Sequence, residues 1–227
     1  MNPGKLHLYT SPLRDEEIRA FILFKPGICH PAVMIRRRVF TELRLSFEHE
    51  YLHVEDYALW SKAIYQTRLA NLPQPLLLYR VHRHQVSTLY EDLQLENKKK
   101  VFKIHCRHLG LPTDDEAMDV YASVAESVPS QSSFAYIDKC EALMLRIIET
   151  NSEKPFCDDK YLRYMMSMHW LRLCANSQLG LKVIDKLKSS PLYKKENYSR
   201  RDLAILYTKC TFRLKYRKSF IYKVMFK

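Results

Sequence analysis

The spacing of apolar positions along this chain changes character near residue 87, from short runs mixed with helical stripes to helical spacing almost throughout. Asp15-Glu16-Glu17 stand before Ile18, Phe21, Ile22 and Phe24, the pattern of an amphipathic helix with an acidic first turn, and Pro26-Gly27 stops it. Ala32 to Ile35, just after Pro31, predicts a short buried strand, and Arg36 to Leu43 a helix. Glu55 opens a second helix whose Leu59, Trp60, Ala63 and Ile64 share one apolar face. Leu69 to Leu72 and Leu76 to Val81 predict strands, punctuated by Pro73 and Pro75. This alternation is the mark of an α/β region, assigned to residues 1–90.

Residues 91–227 read as mostly α-helical. Helical segments are expected around Leu89 to Ile104, Met118 to Val124, Phe134 to Ile148, Tyr161 to Cys174, Leu179 to Leu187 and Leu203 to Phe212. Gly110-Leu111-Pro112, Ser127 to Ser133, Asn151 to Pro155 and Ser189-Ser190-Pro191 separate them as turns or loops. No repeat of fixed period is visible.

Composition adds limits. With 47% hydrophobic side chains in 227 residues the chain can bury a core, yet its longest apolar runs, such as Ala20 to Phe24 and Leu76 to Tyr79, are a few residues long. A bilayer span needs about 20. No basic segment leads into an apolar stretch after Met1, so a cytoplasmic location is expected. Six cysteines without a C-x-x-C pair argue against a zinc knuckle or a thioredoxin-type centre and for reduced, mostly buried thiols. The net charge of +12 is concentrated at the C-terminus, where residues 191–227 carry eleven Lys/Arg against Glu196 and Asp202, a net +9.

The candidate chemistry lies between His30 and Ser87. Glu55-Asp56 begins a helix whose dipole favours an ionised carboxylate, while a cap of that helix is the simpler reading of the same pair. Glu55-Asp56-Tyr57-Ala58-Leu59-Trp60, Tyr79-Arg80-Val81-His82 followed by Gln85-Val86-Ser87, and His30-Pro31-Ala32-Val33-Met34-Ile35-Arg36-Arg37 together resemble the second, acceptor-side half of the sugar-transferring domain in family 2 glycosyltransferases, over about residues 15–90. The resemblance implies a partial GT-A-like sheet with helices and inverting transfer from a nucleotide sugar to a polysaccharide or lipid-linked saccharide. It implies Asp56 as catalytic base, taking the proton of the attacking hydroxyl. Glu55, Trp60 and His30 become acceptor contacts, and Arg80 and His82 diphosphate contacts. His82 is also the implied ligand of a divalent metal, Mn²⁺ or Mg²⁺. Each has a plainer alternative: His30 as a residue held extended before Pro31, His82 as a surface histidine, Arg80 as an ion-pair partner of Glu55 or Asp56.

The chain departs from that family's pattern too. It has no Asp-x-Asp and no glycine-rich phosphate loop, with four glycines in all. The expectation is therefore a chain lacking the donor-binding half, completed by that missing half or by self-association, or else a non-catalytic interaction protein. Tyr193, Tyr198, Tyr207, Phe212, Tyr216, Phe220, Tyr222 and Phe226 are interleaved with the C-terminal cations. That mixture suits an anionic membrane surface at the inner leaflet or an ordinary solvated helix, and suits nucleic acid less, since no nucleic-acid-binding signature accompanies it.

Overall fold

The computed structural model describes residues 8–80, 90–214 and 216. Among these the chain is helical, with nine α-helices: α1 (Asp15–Ile22), α2 (Arg38–Thr41), α3 (Glu55–Ala63), α4 (Glu91–Leu109), α5 (Asp115–Glu126), α6 (Phe134–Glu153), α7 (Asp159–Asn176), α8 (Val183–Ser189) and α9 (Arg200–Phe212). The helix ends follow local chemistry. Asp114, Ser133 and Asp158 accept from the backbone N–H of Ala117, Tyr136 and Tyr161 at 3.0, 3.2 and 2.7 Å. Ser199 and Asp202 form a reciprocal capping box on α9. Gly110, at φ +65°, closes α4 in the left-handed conformation.

Helix α7 is central. Leu162, Met166, Trp170, Leu173 and Cys174, each at 0% exposure, share one face, and Met165, Met168, Leu171 and Ala175, also buried, occupy the others, so the helix is wrapped by α1, α5, α6, α8 and α9. Its largest side chain, Trp170, donates from Nε1 to the Leu187 carbonyl at 3.3 Å, joining α7 to α8. Trp170→Ala is expected to cost about 3–5 kcal/mol through lost burial and a cavity. At roughly 2–4 °C per kcal/mol for a chain of this size, thermal unfolding followed by circular dichroism should show Tm lowered by about 6–20 °C.

The expected α/β sheet is absent: no strand occurs among the described residues. At 30–35, Pro31 occupies the second position of a 3₁₀ turn, His30–Ala32. Beyond it the chain is extended without a pairing neighbour; Val33 and Ile35 pack on the core while Met34 is 98% exposed. The apolar run at 32–35 thus reflects a single extended segment lying on helices. The helix expected over 36–43 is one turn, α2, ended by Arg44 at φ +53°. Leu76 to Tyr79, within the strand expected over Leu76 to Val81, lies exposed, and residues 72–79 make no backbone hydrogen bond. Pro73 and Pro75 remove two donors there and hold their predecessors extended. Val81, where that expected strand ends, lies outside the described residues.

The C-terminal basic stretch is in part core. α9 packs on α7 through Leu206 and Cys210, Tyr198 is buried with its hydroxyl paired to Ser167, and Lys209 is buried with Nζ donating to Asn176 Oδ1 at 2.9 Å. Residues 217–227 lie outside the described part.

Candidate functional site

Asp56 sits in the first turn of α3, and the position of that turn is set from two sides. From α1, the Ile22 carbonyl accepts from the buried Tyr57 hydroxyl at 2.8 Å. From α4, three side chains grip the carbonyls of the preceding loop: Gln94 to His53 at 3.0 Å, Asn97 to Leu52 at 2.8 Å, and Lys100 to Glu50 at 3.0 Å. His53 adopts φ +67°, a conformation tolerated better by His than by bulky residues, and its ring stacks on Tyr90 at 4.5 Å. Asn97 is 3% exposed, so Asn97→Ala leaves a carbonyl without its donor. The expected cost is about 1–3 kcal/mol, with amide exchange at His53 and Val54 accelerated, readable by hydrogen-exchange mass spectrometry.

The Asp56 carboxylate is held and tuned. Its Oδ1 accepts from the Tyr57 N–H at 2.7 Å, and its Oδ2 stands 3.9 Å from His30 Nδ1. Burial raises its pKa above the ordinary carboxylate range; the Tyr57 N–H and then the His30 charge oppose that shift, and Glu55 adds to it. It also lines a cleft of about 320 Å³, whose apolar part is formed by Phe24 and Tyr57 and whose polar rim includes Lys25, His53, Lys98 and Glu126. That is the lower end of the range for small-ligand sites, with room for a sugar-sized molecule. Lys98 is paired to Glu126 at 2.7 Å, and burial lowers the pKa of Lys25.

Four of the residues singled out in the sequence come together, His30, Glu55, Asp56 and Trp60, and of these only Asp56 lines the cleft. His30, in its 3₁₀ turn, is beside Asp56 and meets the Trp60 ring edge-on at 6.4 Å between centroids. Trp60 is 2% exposed and its Nε1 has no acceptor. Glu55 neighbours Asp56 in the same turn, and its Oε2 is buried without a partner. Arg80 is exposed at the end of the irregular stretch after Leu69 and does not line the cleft. His82 lies outside the described residues.

The sequence reading passed over Phe47, which stacks on His30 at 5.2 Å, and over the cleft residues Lys25, His53, Gln94 and Lys98. His53 alone had a local signal, its place immediately before the turn that starts α3; the others arrive through tertiary packing. Among the described residues no group of three or more His, Cys, Asp or Glu side chains stands close enough to hold a metal ion, and His82, the ligand the resemblance implies, lies outside them. Nor is any described helix long and apolar enough to cross a membrane.

Comparison with known proteins adds one relationship. The chain is 34% identical over 94 residues to an uncharacterized glycosyltransferase of Haemophilus influenzae, a stretch that covers 41% of this chain and 29% of the relative. Part of this chain is glycosyltransferase-like. It spans less than a third of that relative's length, 29%. No protein-family model and no solved structure matches.

Proposed function

We propose that this chain supplies the acceptor side of an inverting sugar transfer, from a nucleotide sugar to a polysaccharide or lipid-linked saccharide, in which Asp56 is the general base. The observation that carries the reading is a carboxylate of raised pKa, held by a backbone N–H, on the wall of a sugar-sized cleft. A base is most effective when its pKa approaches the working pH, and burial moves Asp56 in that direction. The partial likeness to a glycosyltransferase supports the reaction class.

In this reading the acceptor hydroxyl donates to Asp56, which takes the proton as the oxygen attacks the anomeric carbon. His30 restrains the carboxylate and counters part of its desolvation. Glu55, Trp60 and His30 as acceptor contacts stay part of the proposal; the indole N–H of Trp60 and Glu55 Oε2 are buried without a partner and do not line the cleft, so a sugar hydroxyl reaches them only on local opening of the first turn of α3. Among the described residues only Arg80 is assigned to the donor, and no step is routed through a metal. A divalent ion and Arg80 and His82 as diphosphate contacts stay part of the proposal, as does a place at the cytoplasmic face of a membrane.

The test is incubation of the purified chain with labelled nucleotide sugars, Mg²⁺ or Mn²⁺, and lipid-linked saccharide extract, beside NMR titration with the saccharides alone. Label in the saccharide fraction supports the proposal. Saccharide shifts at Asp56 and Trp60 without transfer support the acceptor role, with the donor half supplied by a second polypeptide. Neither transfer nor shifts would overturn it.

A further inference from the structure

The segment that brings His30 to Asp56 has an outer side that the sugar-transfer reading does not use. It is anchored inward by Val39 and Leu45, both buried, with the Leu45 N–H donating to the Val39 carbonyl at 3.1 Å. Outward it shows Met34 at 98% exposure, Phe40 at 38% and Phe47 at 43%, and the Phe40 and Phe47 rings adjoin at 6.5 Å. Among these apolar groups stand Arg36, Arg37, Arg38 and Arg44, all exposed, none with a side-chain hydrogen bond or ion pair. Only Glu42 opposes them between residues 30 and 47, so the segment carries a net +3 with His neutral.

We infer that the surface formed by Met34, Phe40 and Phe47 with Arg36, Arg37, Arg38 and Arg44 docks on an anionic lipid bilayer. Four unpaired guanidinium groups on one short segment complement a negative surface, and each basic group near such a surface strengthens partitioning about fivefold. The apolar members decide between polyanions. A methionine at 98% exposure and two partly exposed phenylalanines gain by entering the headgroup region, whereas a nucleic-acid backbone offers them nothing. The C-terminal cations are the competing surface: Lys209 turns into the core, while Lys194, Lys195, Arg200 and Arg201 are exposed, and the control variant below separates the two. The inference stands apart from the sugar-transfer reading, yet the two fit: Phe47 stacks on His30, which neighbours Asp56, so docking by this surface holds the cleft beside the bilayer.

The experiment is flotation of the full chain with vesicles of phosphatidylcholine alone or with about 30% phosphatidylglycerol. Runs are made at about 0.01 M and about 1 M salt, between which the Debye length falls from roughly 30 to 3 Å. The wild type is expected to float with the anionic vesicles at low salt, and to do so far less at high salt or on neutral lipid. The variant carrying Arg36→Gln, Arg37→Gln, Arg38→Gln and Arg44→Gln should partition roughly 600-fold more weakly, with circular dichroism unchanged because these side chains are exposed and unpaired among the described residues. Met34→Gln should weaken flotation without altering its salt dependence. A control of equal charge change, Lys194, Lys195, Arg200 and Arg201 each to Gln, should float like the wild type. Failure of the wild type to float, equal flotation on neutral lipid, or loss in the control and not in the arginine variant would overturn the inference. So would a duplex DNA titration in which the arginine variant loses DNA binding but keeps its flotation.

Discussion

Asp56→Asn is expected to lower sugar transfer by about 100- to 10,000-fold, the usual contribution of a positioned general base. The same substitution should raise Tm at neutral pH. The two effects share one cause. Burial holds the folded-state pKa of Asp56 above its unfolded value, so the folded chain keeps a proton that the unfolded chain releases. Stability therefore falls as pH rises through that window, and above it the full cost of an ionised, partly buried carboxylate is present. Asparagine removes this cost and retains an oxygen to accept from the Tyr57 N–H. The Tm gain should shrink as pH is lowered toward the ordinary carboxylate range. In the pH–rate profile of the wild type, the acid limb should lie above that range. His30→Gln should move it higher still, since the His30 charge is one of the influences that lower the Asp56 pKa. Transfer by Asp56→Asn within about threefold of wild type, or a Tm unchanged at pH 7, would take Asp56 out of the reaction. An amide that only capped the helix would show neither the rate loss nor the shifted acid limb.

The helices could be read because each is a local statement. Asp15-Glu16-Glu17 ahead of Ile18 and Ile22 sets an acidic first turn and a buried face within a few residues, and the structure places α1 there. The strands were a different kind of inference. Met34 outward between Val33 and Ile35 has the alternation of a strand, but a strand exists only with a partner, and a single segment carries no record of one. Leu76 to Tyr79 shows the same limit: an apolar run after two prolines reads as a strand, yet the described chain brings it no partner and leaves it exposed.

The site was legible to the same degree. Asp56 could be named from its order ahead of a helix, and His30 and Trp60 from their neighbours in sequence. What makes Asp56 a poised group is tertiary. Asn97 and Gln94, more than 40 positions away, hold the loop that aims it, with |i−j| of 45 and 41 to the carbonyls they bond. Phe47 reaches His30 through the short turn of α2, and Lys25 reaches the cleft because α1 ends beside it. The C-terminal charge was visible, but not that Tyr198 and Lys209 face inward, because their partners Ser167 and Asn176 lie on another helix.

Acidification should unfold this protein steeply below about pH 6, and two histidines are the reason. His105, at 0% exposure on α4, pairs through Nδ1 with the Tyr65 hydroxyl at 2.9 Å and through Nε2 with Ser61 Oγ at 3.1 Å. His169, on α7, pairs through Nδ1 with Ser127 Oγ at 2.8 Å and lies against the Phe24 ring at 4.9 Å. Burial drives the pKa of each down to about 3; His108 adds to the shift at His105, and Lys25 and Arg172 add to it at His169. The unfolded chain takes up both protons near pH 6.5, while the folded chain refuses them down to about 3. Their stabilisation is thus fully present above about pH 6.5 and lost as pH falls toward 3, at about 1.4 kcal/mol per pH unit for each histidine and ~2.7 for both. Against a usual stability of about 5–15 kcal/mol, that slope exhausts much of the margin near pH 4. Urea midpoints measured by circular dichroism between pH 7 and 4 should follow it. His105→Gln and His169→Gln should each remove about half of the slope, and the double variant nearly all. Lys209, lowered by burial to about 8, titrates above this window and leaves the slope untouched. Asp56 works the other way on acidification, recovering stability as it takes its proton, so the net slope should be somewhat steeper in Asp56→Asn than in the wild type. A slope that persists in the double histidine variant would mean that these imidazoles already carry their protons in the folded state, and that the hydroxyl pairs at Tyr65, Ser61 and Ser127 hold cations.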